Sequence, residues 1–155
     1  MSNFIKETRH VGISVTNLEK SLIFYKDILG FKIQRVMNES GEFIDKILSN
    51  SNVNVKTVKL TVNDGITLIE LLEFKNPKPS INNTNIENIG ASHVAFTVSE
   101  IDKFFEELVS KGIKFKSKPQ ISPDGYAKVA FCKDPDGMLI ELVEVLNPNV
   151  VNQVK

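Results

Sequence analysis

One strand pattern occurs twice in this chain, and it constrains the fold more than any other feature. Residues 9–15 read RHVGISV and residues 92–98 read SHVAFTV, so each copy places a histidine ahead of alternating apolar and small side chains. A second motif is also duplicated, as IELLEF at residues 69–74 and IELVEV at residues 140–145. The two histidines of the chain therefore open equivalent strands, and each copy closes with an Ile-Glu-Leu strand. This duplication predicts two copies of one small unit.

Strand periodicity groups each histidine with small or polar neighbours. Side chains of a strand alternate between its two faces, so His10 shares a face with Gly12 and Ser14. His93 shares a face with Ala95 and Thr97 in the same way. The opposite faces carry only large apolar side chains, which are suited to packing beneath helices. The histidine faces are therefore predicted to line a pocket.

Each copy also supplies a carboxylate. Glu70 and Glu141 stand in mid-strand between Ile and Leu, where burial is costly unless the charge is paired or bound to a metal. A histidine or glutamate alone on a strand is more often a packed or solvated residue, but matching positions in both copies favour a shared site. Two imidazoles and two carboxylates suit one divalent metal ion: nickel, cobalt, zinc, manganese or iron. We therefore predict that His10, Glu70, His93 and Glu141 are metal ligands.

The remaining pattern predicts a β-α-β-β-β order in each unit. Helices are predicted at residues 18–29, capped by Thr16, and at residues 99–111, capped by Ser99. Two such units bury their apolar faces if their sheets join into one cupped, barrel-like mixed sheet with the helices outside. The predicted fold class is therefore α+β, built from paired βαβββ modules.

One candidate linker separates the two modules. Pro77, Pro79 and an asparagine-rich stretch lie between residues 76 and 90. We expect a single domain, residues 1–155, made of module 1 at about 8–75, the linker at about 76–90, module 2 at about 91–146 and a C-terminal tail at 147–155.

Composition excludes several classes of protein. The chain has 19 basic and 19 acidic residues, so its formal net charge of zero gives no electrostatic footprint for nucleic acid or for a membrane surface. A single cysteine, Cys132, excludes a disulfide framework and a thiolate zinc site. No apolar run reaches membrane-spanning length, and the N-terminal residues do not read as a signal peptide. We expect a cytoplasmic protein whose partner is a small molecule.

Several motifs together resemble the vicinal oxygen chelate superfamily, the group of glyoxalase I, bleomycin-resistance proteins and extradiol dioxygenases. These motifs are the two histidine strands, FYKDILGF at residues 24–31, and DPDG at residues 134–137 followed by Ile-Glu-Leu. The resemblance covers about residues 8–146. It implies paired modules in a cupped sheet, the same four ligands and, by analogy with many relatives, a homodimer.

By this resemblance, a full set of two histidines and two carboxylates indicates proton transfer of the glyoxalase I type. The metal acts as a Lewis acid on neighbouring substrate oxygens and stabilises an enediolate-type intermediate. A glutamate ligand moves protons between adjacent carbons, and the family position of that base matches Glu141, with Glu70 opposite. The expected activity is a metal-dependent lyase or isomerase acting on a small oxygen-rich substrate.

Two other functions fit the same resemblance. An Fe(II)-dependent dioxygenase would use His10, His93 and Glu141, and would leave Glu70 as a spare carboxylate. A drug- or metabolite-binding resistance protein would hold its ligand without catalysis, although such binders often lack a full ligand set.

Two departures from the family bear on the substrate. Ser14 and Phe74 stand where an arginine and an asparagine are expected for binding glutathione, which argues against glutathione dependence. Residues 51–53 read SNV, where the similar methylmalonyl-CoA epimerases bring a carboxylate base. The substrate is therefore expected to differ from both.

Overall fold

The chain divides into two units, residues 1–81 and residues 82–155, and each is described separately. The computed structural model describes residues 4–63, 65, 67–80, 86–88 and 90–148. Residues 1–3, 64 and 66, part of the predicted linker (81–85 and 89) and the chain from residue 149 lie outside the described residues.

The first unit holds one four-stranded mixed sheet with its helices. Its strands are β1 (His10–Ser14), β2 (Lys32–Ser40), β3 (Asn54–Thr61) and β4 (Leu68–Asn76). The strand order is β1-β4-β3-β2, with β1 parallel to β4 and the other neighbours antiparallel. Its helical elements are α1 (Leu18–Leu22), a π-helical segment (Ile23–Ile28) and α2 (Glu42–Ile47).

The second unit repeats this topology. Its elements are β5 (His93–Thr97), α3 (Ile101–Ser110), β6 (Gln120–Ile121), β7 (Ala127–Lys133) and β8 (Leu139–Val145). The strand order is β5-β8-β7-β6, and β5 runs parallel to β8 as β1 does to β4. The predicted α+β fold with βαβββ modules is confirmed, and the described strands form two four-stranded sheets rather than a closed barrel.

The first helix differs from the prediction at both ends. Its N-cap is Asn17, whose side-chain oxygen accepts the Lys20 N–H at 2.9 Å, so the predicted cap at Thr16 is wrong by one residue. Its second half is π-helical, and the Leu29 N–H donates to the Phe24 carbonyl five residues earlier at 2.9 Å. Asparagine caps at least as well as threonine, which explains the shift.

The second helix is capped from a distant strand. Its N-cap is Glu100 in a left-handed conformation (φ 50°), not the predicted Ser99. The Glu144 carboxylate in β8 accepts the N–H of Glu100 at 2.8 Å and that of Ile101 at 3.1 Å. A carboxylate at a helix N-terminus satisfies free donors and complements the helix dipole. Among the described residues, no helix is long and apolar enough to cross a membrane.

The apolar core of each unit lies on the sheet face opposite the histidine. In the first unit this face buries Ile13, Leu60 and Leu71, and α1 packs against β4. In the second unit it buries Ile140 and Leu142, and α3 packs against β8. The histidine-bearing face of the first sheet carries polar side chains beside β1 and apolar ones, such as Val55, near its other end.

Candidate functional site

In the first unit, the imidazole of His10 lies against the carboxylate of Glu70. Glu70 in β4 pairs with Gly12 in β1, so the two side chains project from the same face of neighbouring strands. The distance from His10 Nε2 to Glu70 Oε2 is 3.1 Å, and the Glu70 side chain is only 11% exposed. Two of the four predicted ligands are therefore in contact within this unit.

The second nitrogen of His10 has unused bonding capacity. His10 Nδ1 is buried, and none of the described residues offers it a hydrogen-bond partner. Leaving a buried polar atom unsatisfied costs about 1–3 kcal/mol. Such atoms are rare in packed interiors, and each calls for an explanation, such as a catalytic role or a bound water or ion.

The second unit forms an equivalent pair. Glu141 in β8 pairs with Ala95 in β5, and His93 Nε2 lies 3.0 Å from Glu141 Oε2. The His93 ring also meets the Phe131 ring edge-on, with ring centroids 5.6 Å apart and an interplanar angle of 71°. This aromatic contact helps to hold the imidazole in its orientation toward Glu141.

The two pairs differ in the residue that lies opposite the glutamate on the third strand. In the first unit Lys59 in β3 lies opposite Glu70, and its Nζ is 3.3 Å from Glu70 Oε1. In the second unit the corresponding residue opposite Glu141 is Phe131. Sequence reasoning missed Lys59, although a charged residue between Val58 and Leu60 carries the same signal as Glu70 between Ile and Leu.

An apolar cluster borders the Glu70 face of the first sheet. Leu72 and Phe74 follow Glu70 at two-residue intervals in β4, so they share its face. They pack with Val55 of β3 and with Ile44 of α2. One end of the polar face is therefore closed by apolar side chains, which restricts water there.

The predicted ligands are found as two pairs. Among the described residues, no three His, Cys, Asp or Glu side chains form a group that could hold a metal ion. The structure brings His10 to Glu70 and His93 to Glu141. A metal site that uses all four side chains stays a prediction.

Cys132 is chemically shielded. It is fully buried in β7, and burial, with a smaller contribution from the Asp134 carboxylate, raises the pKa of its thiol to about 11. At pH 8 only about one native thiol in a thousand is ionised, and the thiolate is the reactive form. We expect a disulfide reagent to label the native protein at least ~100-fold more slowly than the urea-unfolded protein at this pH. Equal labelling rates would show that the thiol is accessible and would contradict this burial.

Sequence comparison places the chain among known proteins. Residues 8–142 match the family model of the Glyoxalase/Bleomycin resistance protein/Dioxygenase superfamily. Glyoxalase I of Saccharomyces cerevisiae is 33% identical over 143 residues, which cover 86% of this chain but only 43% of the yeast protein. The uncharacterized protein YwkD of Bacillus subtilis is 33% identical over 144 residues, covering 90% of this chain and 98% of YwkD. The chain thus spans less than half of the yeast enzyme but nearly all of the bacterial relative.

Solved structures share the same fold. A glyoxalase family protein from Bacillus cereus superposes with a TM-score of 0.84 at 22% identity, covering 94% of this chain and 97% of that one. A glyoxalase family protein from Enterococcus faecalis gives a TM-score of 0.68 at 27% identity, covering 92% and 100%. From its sequence match and its fold, the chain belongs to the Glyoxalase/Bleomycin resistance protein/Dioxygenase superfamily.

Proposed function

We propose that this protein is a metal-dependent lyase or isomerase of the glyoxalase type, acting on a small oxygen-rich substrate. The observation that carries the proposal is the duplicated contact between an imidazole and a carboxylate. His10 and Glu70 approach to 3.1 Å, and His93 and Glu141 approach to 3.0 Å. The superfamily includes glyoxalase I, and chemistry of that type would use both imidazoles and both carboxylates.

The donor atoms fit a divalent first-row metal ion. We propose His10, Glu70, His93 and Glu141 as its ligands, since imidazole nitrogens and carboxylate oxygens are donors that nickel, cobalt, zinc, manganese and iron accept. The buried Nδ1 of His10 has no hydrogen-bond partner among the described residues, which supports a role for this imidazole in binding another group. A bound metal ion would supply Lewis acidity toward neighbouring substrate oxygens.

We assign proton transfer to Glu141 rather than to Glu70. Both oxygens of Glu70 are engaged, Oε2 by His10 and Oε1 by Lys59. Among the described residues, the ion pair of Glu141 involves only Oε2, with His93. An oxygen that is not already held is free to take a proton from one substrate carbon and return it to the next.

The substrate that we propose is not a glutathione adduct. Ser14 and Phe74 stand where an arginine and an asparagine would bind glutathione, and Phe74 is packed in the apolar cluster with Ile44 and Val55. A phenyl ring in that position offers no hydrogen bond to a peptide-like cofactor. A substrate screen should therefore include 2-oxoaldehyde adducts of several small thiols.

Elemental analysis of untagged protein tests the proposal directly. We expect about one divalent metal ion per chain in the wild type and its loss in His93→Ala. Removing a direct ligand should lower the metal affinity by more than the roughly 10–100-fold that is typical when a residue hydrogen-bonded to a ligand is removed. Thr97→Ala is the matched control, since Thr97 lies on the same strand face without a ligand atom in the proposed set. It should keep the metal.

The same measurement separates the alternatives. Iron in the wild type, together with oxygen consumption, would favour a dioxygenase that uses His10, His93 and Glu141. A folded wild type without metal that binds a ligand tightly would replace the enzyme with a binding protein. Either result would overturn the lyase or isomerase proposal.

A further inference from the structure

Lys59 is an unusual residue at this position in the first sheet. Its side chain is 16% exposed, and its strand neighbours Val58 and Leu60 are almost fully buried. Lysine is seldom buried to this extent unless it is paired. Its ammonium lies 3.3 Å from Glu70 Oε1, and the described residues offer it no other carboxylate. The position therefore keeps a positive charge beside a proposed metal ligand.

Three functional groups follow one another across neighbouring strands. His10 lies on β1, Glu70 on β4 and Lys59 on β3, and the register places the three side chains on one face. Beyond them, Val55 and Phe74 close this face with apolar surface. The row formed by these three polar side chains therefore begins at the imidazole of His10 and ends at the ammonium group of Lys59.

The balance of charges around Glu70 indicates a role for the ammonium group of Lys59. A divalent ion and Lys59 together carry three positive charges, and the proposed ligands Glu70 and Glu141 offset only two of them, so one positive charge would be left over. Uncompensated charge in a poorly hydrated position is costly. A ligand that carries its own negative charge would remove this cost, and a neutral ligand would not.

We propose that Lys59 makes the site selective for anionic substrates, by binding a substrate carboxylate or similar oxyanion while Glu70 serves the metal. This inference rests on the proposed metal-dependent function and names the substrate class of that same site. Lys59 acts here as a specificity-determining residue. The equivalent residue in the second unit, Phe131, has no charge, so the second sheet offers no ammonium group opposite Glu141.

Calorimetric binding of glycolate to Mn²⁺-loaded protein tests this inference without any assay of turnover. Wild type should bind glycolate, and Lys59→Met should bind it at least about fivefold more weakly, because a direct hydrogen bond between two charged groups is lost. Lys59→Arg keeps the charge and should stay within about twofold of wild type. Glycolamide, the neutral counterpart of glycolate, should bind wild type and Lys59→Met equally.

Lys128→Met is the matched control. Lys128 in β7 is also a strand lysine in an ion pair, here with Asp102, and its side chain is 19% exposed. Its loss should leave glycolate affinity unchanged, which separates the position of Lys59 from a general loss of positive charge.

The outcomes distinguish the two proposals. If wild type does not bind Mn²⁺, the metal-dependent function and this inference fail together. If both proteins bind Mn²⁺ and Lys59→Met also binds glycolate with wild-type affinity, Lys59 only neutralises Glu70 and the inference alone is overturned. Should Lys59→Met not fold, equal binding of glycolate and glycolamide by wild type would overturn the inference, and loss of glycolate binding in Lys59→Gln would support it.

Discussion

Glu141→Gln is expected to lose nearly all turnover while the protein stays folded. The glutamine amide keeps an oxygen atom that can bind a metal ion and almost the same volume, but it cannot act as a base that takes a proton from the substrate. General acid–base groups typically contribute about 10²–10⁴-fold to the rate, and we expect kcat to fall by that factor. The measurement is kcat on a substrate identified by screening, with the metal content of each variant determined on the same sample.

The control for this variant is Glu144→Gln in the same strand. Glu144 lies on the other parity of β8 and caps α3 through two backbone N–H groups. Weakening that cap should cost about 1 kcal/mol of stability and leave kcat unchanged. A Glu141→Gln protein with wild-type kcat would remove Glu141 from the role of base.

The sequence predicts that each histidine and glutamate lie on the pocket-lining face of their strands, because strand alternation alone decides the face. Once His10 and Glu70 are known to lie in neighbouring parallel strands, their parity places both on the face away from the apolar core. The repeat then transfers the same reasoning to His93 and Glu141. The shared face depends on periodicity, which a single sequence displays.

Contacts that depend on register or on distant strands are not visible in the same way. Lys59 meets Glu70 because β3 and β4 pair in one particular register, and a shift by one residue would turn Lys59 to the other face. The N-terminus of α3 is capped by Glu144, which lies 44 residues beyond Glu100, so no local sequence motif predicts this cap. The sequence pattern therefore predicts which face of a strand a side chain lies on, while the register between strands decides which side chains are in contact on that face.

Leu71→Ala should lower the free energy of unfolding by about 2–5 kcal/mol. Leu71 follows Glu70 in β4, is 0% exposed, and lies between Ile13 of β1 and Val58 of β3 in the middle of the first sheet. Truncation leaves a cavity where three strands pack, and the surrounding backbone is held by its ladder hydrogen bonds and cannot collapse to fill it. Urea denaturation followed by circular dichroism measures the loss.

Two companion variants make this test specific. Leu142→Ala removes the equivalent side chain, which follows Glu141 in β8, and should cost a similar amount because the repeat gives both leucines the same place in their sheets. Leu48→Ala makes the same chemical change at a residue that is 46% exposed and should cost under about 0.5 kcal/mol. A Leu71→Ala loss no larger than that of Leu48→Ala would mean that β4 lacks the packed apolar layer that turns Glu70 toward His10.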